Sequence, residues 1–427
     1  MTSHQPGAAP DSAAALVALP RLVQAAFALL ALVTVAAVFY ENVARVAPAR
    51  PGLVVAAGLF GAVVALVVGA LAPAAAPLLQ RLAQFGSNVS TSRALVAIVA
   101  GGLLLRLASA ALMGPVVTSD GAVYLGLARR LLEGRGYVDP RGDLAYWPPG
   151  LPMSLAAAAF VIGPSRPAAA ILAVNLVSYL AATAGAFLLG RWLYGRAAGL
   201  GAALLIAIWP NLVLGASGAA KEMPALGLLT LALALYVYAR RGAGPPSAPG
   251  TLAATLGSGA CLGMASLVQP ALMFLPLAFV VAELLHPSSP RQALVRLLLL
   301  LAAMATVIAP WTLRNAAQLG VAVPIATNGG DVLYRANNPQ AVPGYLAAGP
   351  VDLRQYPEVE RSRLGTRLAI EWIAREPHRF QALSWQRLLH FSGDLISDEP
   401  QQGAAATLAK AEPPPGRPAG AATASAY

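Results

Sequence analysis

Long apolar runs separated by short polar segments dominate the chain up to about residue 310. A bilayer core of about 30 Å requires roughly 20 apolar residues in a helix. Nine runs reach or approach that length, and they lie near 21–40, 52–78, 93–116, 168–190, 197–216, 223–239, 251–269, 271–286 and 292–310. The pattern therefore predicts an all-α polytopic integral membrane protein with about nine transmembrane helices.

A tenth apolar run, 150–163, is shorter and is flanked by Pro149 and Pro164. Runs of this length are more often interfacial or re-entrant than spanning. Upstream of it, apolar residues at helical spacing form one face of an amphipathic segment, namely Val123, Tyr124, Leu127, Ala128 and Leu131. The stretch 117–150 is thus predicted to be a helical outer loop that is juxtamembrane or re-entrant.

Arginines at the ends of the apolar runs indicate the orientation, because basic residues accumulate on the cytoplasmic side. If 150–163 does not cross, one side collects Arg81, Arg93, Arg191, Arg196, Arg240, Arg241, Arg291 and Arg296. This bias predicts a cytoplasmic N-terminus, with the loop 117–150 and everything after Pro310 facing outward. The Ala- and Arg-rich, lysine-poor composition is typical of a GC-rich bacterium, so we expect the bacterial cytoplasmic membrane.

The polar segments divide the chain further. Residues 1–19 form a polar leader without the apolar core of a signal peptide, so the first of the two helices in 20–92 is expected to remain as an anchor. Residues 93–310 form the membrane core. Residues 311–400 predict an extracytoplasmic α-rich segment with helices near 359–376 and 379–392, and 401–427 predict a disordered Ala/Pro/Gly-rich tail.

Composition excludes several classes of protein. Hydrophobic residues make up 57% and charged residues 11% of the chain, whereas soluble domains carry roughly 25% charged residues. The single cysteine, Cys261, allows no internal disulfide. The net charge of +11 lies in short loops without interleaved aromatics, so no nucleic-acid partner is expected. Metal-ligand spacing is absent among the four histidines, His4, His286, His378 and His390.

Acidic residues are scarce, and half of the eight that precede residue 311 lie in the loop 117–150. The first, Asp120, directly follows an apolar run, so its carboxylate is expected at the boundary between membrane and water. Two interpretations remain open. Asp120 is a functional carboxylate beside lipid headgroups, or Ser119 or Asp120 only caps the amphipathic helix.

Two further polar sites border the same predicted face of the membrane. Lys221 and Glu222 lie between two apolar runs, and ionisable groups in such positions suggest function, although an ordinary polar turn with a local ion pair is the alternative. Arg314 follows the last apolar run. Its planar guanidinium suits a phosphate, and contact with lipid headgroups is the alternative.

Three stretches, in this order, carry a resemblance. The first comprises Arg106, Ser119-Asp120, Tyr124, Ala128, Gly134-Arg135-Gly136-Tyr137 and Tyr146-Trp147-Pro148-Pro149-Gly150. The second is Lys221-Glu222-Met223-Pro224. The third comprises Ala309-Pro310-Trp311-Thr312-Leu313-Arg314-Asn315, Thr327-Asn328-Gly329-Gly330 and Asn337-Asn338-Pro339. Together they resemble the polytopic C-type (GT-C) glycosyltransferases, in particular the bacterial branch related to protein O-mannosyltransferases and aminoarabinose transferases.

The resemblance implies transfer of a sugar from a polyprenyl-phosphate donor to a hydroxyl acceptor on the outer face of the membrane. Asp120 then acts as the catalytic general base. Lys221 or Arg314 binds the donor phosphate. Glu222 supplies a second acid or, with Tyr124, contacts the acceptor. A divalent cation, Mg²⁺ or Mn²⁺, held by Asp120 and Glu222 is a further expectation, and membrane lipid is a partner.

Other classes of function compete with this interpretation. A non-catalytic transporter or accessory protein for lipids or glycans is the main one, and a truncated transferase remnant is a variant of it. Transporters show internal repeats and ionisable residues near the bilayer midplane. Here no repeat is found, and Arg106 is the main charge within a run. A ligase that moves a whole lipid-linked glycan would use the same interfacial site.

Overall fold

A computed structural model describes residues 90–115, 117, 119–241, 245–285, 289–344 and 349–393. These residues form helices and turns and contain no strand, which confirms the predicted all-α class. The predicted spans near 21–40 and 52–78, the leader 1–19 and the tail 401–427 lie outside the described residues.

Thirteen α-helices are present in the described ranges. In chain order they are α1 (Thr91–Met113), α2 (Ser119–Leu132), α3 (Gly150–Ile162), α4 (Pro167–Tyr194), α5 (Arg196–Ile208), α6 (Pro210–Leu214), α7 (Glu222–Arg241), α8 (Pro249–Val268), α9 (Pro276–Leu285), α10 (Pro290–Leu319), α11 (Gly329–Ala336), α12 (Glu358–Arg375) and α13 (Pro377–Gly393). Short 3₁₀ turns occupy Gly215–Ser217, Pro270–Phe274 and Leu353–Gln355.

Five of these helices, α1, α4, α7, α8 and α10, are long and apolar enough to cross a membrane. A sixth candidate is α5 with the following segment Pro210–Ser217, which is bent by 53° at the break. The chain is therefore a multi-span membrane protein, with five or six candidate spans among the described residues rather than a confirmed nine. The run predicted near 271–286 is a 3₁₀ turn followed by the ten-residue α9, because Pro276 interrupts it.

Helices α10, α12 and α13 can be compared with the sequence predictions for the segment after residue 290. Helix α10 continues past Pro310, where the sequence suggested an end, to Leu319, and Gly320 ends it in a left-handed conformation with φ of 69°. A proline removes one helical hydrogen bond, but tertiary packing of Trp311 and Asn315, both buried, carries the helix onward. The predicted helices near 359–376 and 379–392 correspond to α12 and α13 within two residues.

The chain divides into two compact units. Among the described residues, 90–332 and 353–366 form the first unit, which contains every apolar helix. Residues 333–352 and 367–393 form the second. In the second unit the Val351 N–H donates to the hydroxyl of the buried Tyr334 at 2.9 Å, and Asn338 Nδ2 donates to the Tyr334 carbonyl at 2.9 Å.

Within the first unit, helices α4 and α7 pack closely and run in the same direction. A Cβ added at Gly185 of α4 would lie 2.6 Å from the Thr230 carbonyl carbon of α7, so only glycine permits this approach. Near the start of α4, Asn175 Nδ2 donates to the carbonyls of Ala216 and Gly218, just before α7 begins. Helices α4 and α7 therefore begin at the same end of the bundle, which we call the loop end.

Candidate functional site

Helix α2 of the outer loop packs against the loop end of the helix bundle through two apolar clusters. Tyr124 belongs to a buried apolar cluster with Leu155 of α3, Ile171 of α4 and Ala219, which precedes α7. Leu127 belongs to a second cluster with Tyr137 and Trp311, the latter on α10. The apolar face that the sequence predicted for α2 is therefore buried against other helices of the protein.

Two of the four loop acids have structural partners within the loop. Glu133 accepts from Arg129 Nε at 2.7 Å and pairs with Arg135 at 3.2 Å, and the hydrogen bond from Arg129 lowers the pKa of the Glu133 carboxyl. Asp139 accepts from the Asp143 N–H at 2.9 Å and from Trp147 Nε1 at 3.2 Å, which closes the turn that precedes Trp147. Both carboxylates are thus used to hold the loop.

The remaining partnered acid, Asp143, binds the segment that follows the last long helix. Its two oxygens accept from Arg361 of α12 at 2.9 Å each, and both side chains are buried. Burial lowers the pKa of the Arg361 guanidinium, but the hydrogen bond and charge of Asp143, with smaller contributions from Tyr146 and Asp331, raise it overall. Beside this pair, Glu358 accepts from the backbone N–H groups of Leu144 and Ala145 at 2.9 and 3.0 Å.

Sequence reasoning missed this connection between the outer loop and α12. Arg361 follows Asp143 by 218 positions, and no local motif links them. The only available signal was that α12 begins with the acids Glu358 and Glu360, which is also the ordinary pattern of a helix first turn.

Asp120 is exposed and, unlike the other three loop acids, its carboxylate has no hydrogen-bond or ion-pair partner among the described residues. It is the second residue of α2, in the first turn, and so it is not the N-cap. A carboxylate in this position is favoured by the helix dipole. Its side chain nevertheless remains available to solvent and to a ligand.

Asp120 precedes Tyr124 by one turn of α2, and Ala219, three residues before Glu222, packs in the same apolar cluster as Tyr124. Burial raises the pKa of the Tyr124 hydroxyl, and the negative charges of Asp120 and Glu222 raise it further. Both carboxylates therefore lie near one phenol, which is itself buried while Glu222 is exposed. Contact between Ala219 and the Tyr124 cluster explains how the turn before α7 reaches the outer loop.

The two predicted phosphate-binding cations differ in their surroundings. Lys221 is partly exposed and forms no ion pair with any residue in the described ranges, Glu222 included. Arg314 donates to the carbonyls of Leu144 at 2.6 Å and Tyr137 at 2.9 Å, and its guanidinium lies 4.7 Å from the Trp311 ring. Arg314 thus holds the outer loop on α10, and its contact with a phosphate stays a prediction.

Asp120 and Glu222 are the two carboxylates that the sequence predicted as metal ligands. No group of three or more His, Cys, Asp or Glu side chains that could hold a metal occurs among the described residues. Asp120 and Glu222 are both exposed and both near Tyr124. Two such carboxylates suit a magnesium ion that keeps several waters and is completed by substrate phosphate oxygens.

Comparisons with known proteins give structural likeness only. No family model and no curated protein matches the sequence. The structure resembles the archaeal oligosaccharyltransferase AglB from Archaeoglobus fulgidus in complex with an inhibitory peptide and a dolichol-phosphate, with 14% identity, a TM-score of 0.44 and coverage of 77% of this chain and 40% of that chain.

A second solved structure, the Archaeoglobus fulgidus oligosaccharyltransferase in complex with Zn and sulfate, gives 15% identity, a TM-score of 0.45 and coverage of 74% and 39%. The apo form gives 14% identity, a TM-score of 0.45 and coverage of 76% and 40%. The chain therefore spans about two fifths of the length of these structural neighbours, which are oligosaccharyltransferases.

Proposed function

We propose that this protein is a membrane glycosyltransferase that moves a sugar from a polyprenyl-phosphate donor to a hydroxyl acceptor, which is a glycolipid, a polysaccharide or a protein. The observation that carries the proposal is the isolation of Asp120. Of the four acids in the outer loop, the other three have structural partners, and only Asp120 has none among the described residues, while its charge and that of Glu222 act on Tyr124. The order of the three motifs along the sequence supports the same reaction.

In the proposed reaction, the acceptor oxygen attacks the anomeric carbon of the donor. A carbon–oxygen bond forms there while the bond from that carbon to the phosphate oxygen breaks. The acceptor proton passes to the Asp120 carboxylate, which must lie about 3 Å from the acceptor hydroxyl. Glu222 orients the acceptor, and the neutral Tyr124 hydroxyl would donate a hydrogen bond to it.

The leaving polyprenyl phosphate carries the negative charge that develops in this reaction. Lys221 is the better candidate to neutralise it, because Arg314 already donates two hydrogen bonds to loop carbonyls. Asp120 and Glu222 would hold a divalent cation, Mg²⁺ or Mn²⁺, which when bound would neutralise phosphate charge. In the proposed topology this site faces outward from a bacterial cytoplasmic membrane, with the N-terminus inside and the donor in the surrounding lipid.

Transfer from radiolabelled polyprenyl-phosphate sugars by the detergent-purified chain tests the proposal. Asp120→Asn should lower the rate by roughly 10²- to 10⁴-fold, the usual contribution of a general base. Glu133→Gln is the matched control, since it removes a carboxylate of the same loop that only binds Arg129 and Arg135. An EDTA arm decides whether a metal takes part.

Two results would contradict the proposal. Unchanged turnover in Asp120→Asn would remove Asp120 from the chemistry. Donor binding without turnover by folded wild-type protein, across a panel of acceptors, would favour a lipid-binding or glycan-transporting accessory protein.

A further inference from the structure

The segment that leads to Lys221 and Glu222 begins with a break inside the membrane bundle. Helix α5 ends at Ile208, and Pro210 starts the next short helix at an angle of 53°. A proline has no N–H, so the carbonyl four residues earlier, that of Ile206, loses its helical donor. Unpaired carbonyls in a lipid environment are costly and must find another partner.

Arg106 supplies that partner from α1. Its side chain is fully buried, and it donates to the carbonyls of Ile206 and Ala207 at 2.9 Å each. The guanidinium also lies 3.8 Å from the centroid of the Tyr179 ring on α4. The arginine therefore joins α1 and α4 to the broken end of α5.

Asn175 holds the other end of the same segment. This buried α4 side chain donates from Nδ2 to the carbonyls of Ala216 and Gly218 at 2.9 Å each. The segment from residue 206 to residue 218 is thus fixed at its start by a guanidinium and at its end by an amide. Lys221 and Glu222 follow the second attachment by only three and four positions.

We propose that Arg106 and Asn175 are positioning residues, which hold the broken segment so that Lys221 and Glu222 stand beside Asp120. This inference rests on the proposed function for its catalytic consequence. Charged residues within a membrane are expensive and tend to be functional. A continuous apolar helix would avoid the cost, whereas the break lets the chain turn toward Tyr124 through the buried Ala219.

A distance measurement tests the positioning without any assay of transfer. In a Cys261→Ser background, spin labels at Ala122→Cys on α2 and Ala220→Cys before α7 report the separation of the two halves of the site. Arg106→Lys and Asn175→Ala should each broaden the distance distribution, because each loses at least one attachment of the segment. Ser258→Ala is the matched control, since its buried hydroxyl also donates to a backbone carbonyl, that of Ala232 in mid-α7, at 2.8 Å.

Kinetics then test the catalytic consequence. In unlabelled protein, Arg106→Lys and Asn175→Ala should lower kcat for sugar transfer on the order of 10- to 100-fold, because a displacement of about 1 Å in a catalytic site has an effect of that size. The KM for the donor should change little. Ser258→Ala should lower Tm while leaving kcat at the wild-type value.

The outcomes separate the inference from the proposed function. Unchanged distances in both variants would overturn the positioning role, and so would broadened distances with wild-type kcat. If Arg106→Lys does not yield folded protein, Asn175→Ala decides by the same two measurements. Wild-type protein without transfer activity would refute the proposed function, while the distances would still decide whether the two residues hold the segment.

Discussion

The charged side chains at the two ends of helix α7 differ in burial and in pairing. At the loop end, Glu222 begins the helix with an exposed carboxylate near Tyr124 and Asp120. About 27 Å away, 18 residues along the helix, Arg240 lies 3.5 Å from the buried Glu283 of α9. Glu283 in turn accepts three hydrogen bonds from Arg296 of α10, two from Nη2 at 3.0 and 3.1 Å and one from Nε at 3.2 Å.

This contrast separates charges that hold the fold from charges available for chemistry. The cluster of Glu283, Arg240 and Arg296 ties together the ends of three helices, and the Tyr236 hydroxyl donates a further hydrogen bond to Glu283 at 2.9 Å. Breaking the buried ion pair between Glu283 and Arg296 is expected to destabilise the fold, because removing one partner leaves a buried charge uncompensated. An exposed carboxylate carries no such constraint, and its replacement should alter activity rather than stability.

The largest expected effect follows from breaking the cluster at the far end. Arg296→Met should reduce the free energy of unfolding by about 3–5 kcal/mol, because Glu283 would lose its closest cation while remaining buried. Thermal denaturation of the purified protein in detergent measures this loss. Arg291→Met, on the exposed first turn of the same helix, is the control and should lower Tm little. Equal Tm values for the two variants would remove the structural role of the cluster.

At the loop end of α7, Glu222→Gln should lower the rate of sugar transfer and leave thermal stability unchanged. We expect a loss of roughly 10- to 100-fold in kcat, the size of effect that follows when a reacting group is poorly oriented. The Tm should stay at the wild-type value, because Glu222 has no ion pair among the described residues. A lowered Tm with normal kcat would reverse the contrast between the two ends.

Much of the fold was predictable because long apolar runs in the sequence indicate membrane helices. The amphipathic face of α2 and the two polar helices α12 and α13 were also visible as periodic patterns. The break at Pro210 was not predicted: Pro210 and Asn211 are the only interruptions in the otherwise apolar run 197–216, which is long enough for one span. The extension of α10 beyond Pro310 was equally hidden, because it depends on the tertiary burial of Trp311 and Asn315.

The candidate site was predictable only in part. Scarcity of acids in an apolar chain drew attention to Asp120 and Glu222, and the structure adds that both lie near Tyr124. The sequence did not predict that Asp143 pairs with Arg361, or that Arg314 holds the outer loop by two carbonyls. Both are contacts between segments far apart in the sequence, and no periodic pattern of residues indicates them.

The smallest expected effect concerns alkaline pH at the loop end. Burial raises the pKa of the Tyr124 hydroxyl above its ordinary value of 10.0, with further contributions from Asp120 and Glu222. Above pH 10 the unfolded chain releases this proton while the folded chain keeps it, so stability falls as pH rises. The loss from this one group is at most about 1.4 kcal/mol for each pH unit above 10.

Tyr124→Phe should therefore flatten the fall of Tm between pH 10 and 11, measured against the wild-type protein in the same detergent. Asp120→Asn and Glu222→Gln should each recover a smaller part of the loss, because each removes one negative charge near the hydroxyl. Glu133→Gln should recover none, since the charges acting on Tyr124 do not include it. An alkaline profile unchanged by all of the first three variants would mean that the two carboxylates do not share a site with Tyr124.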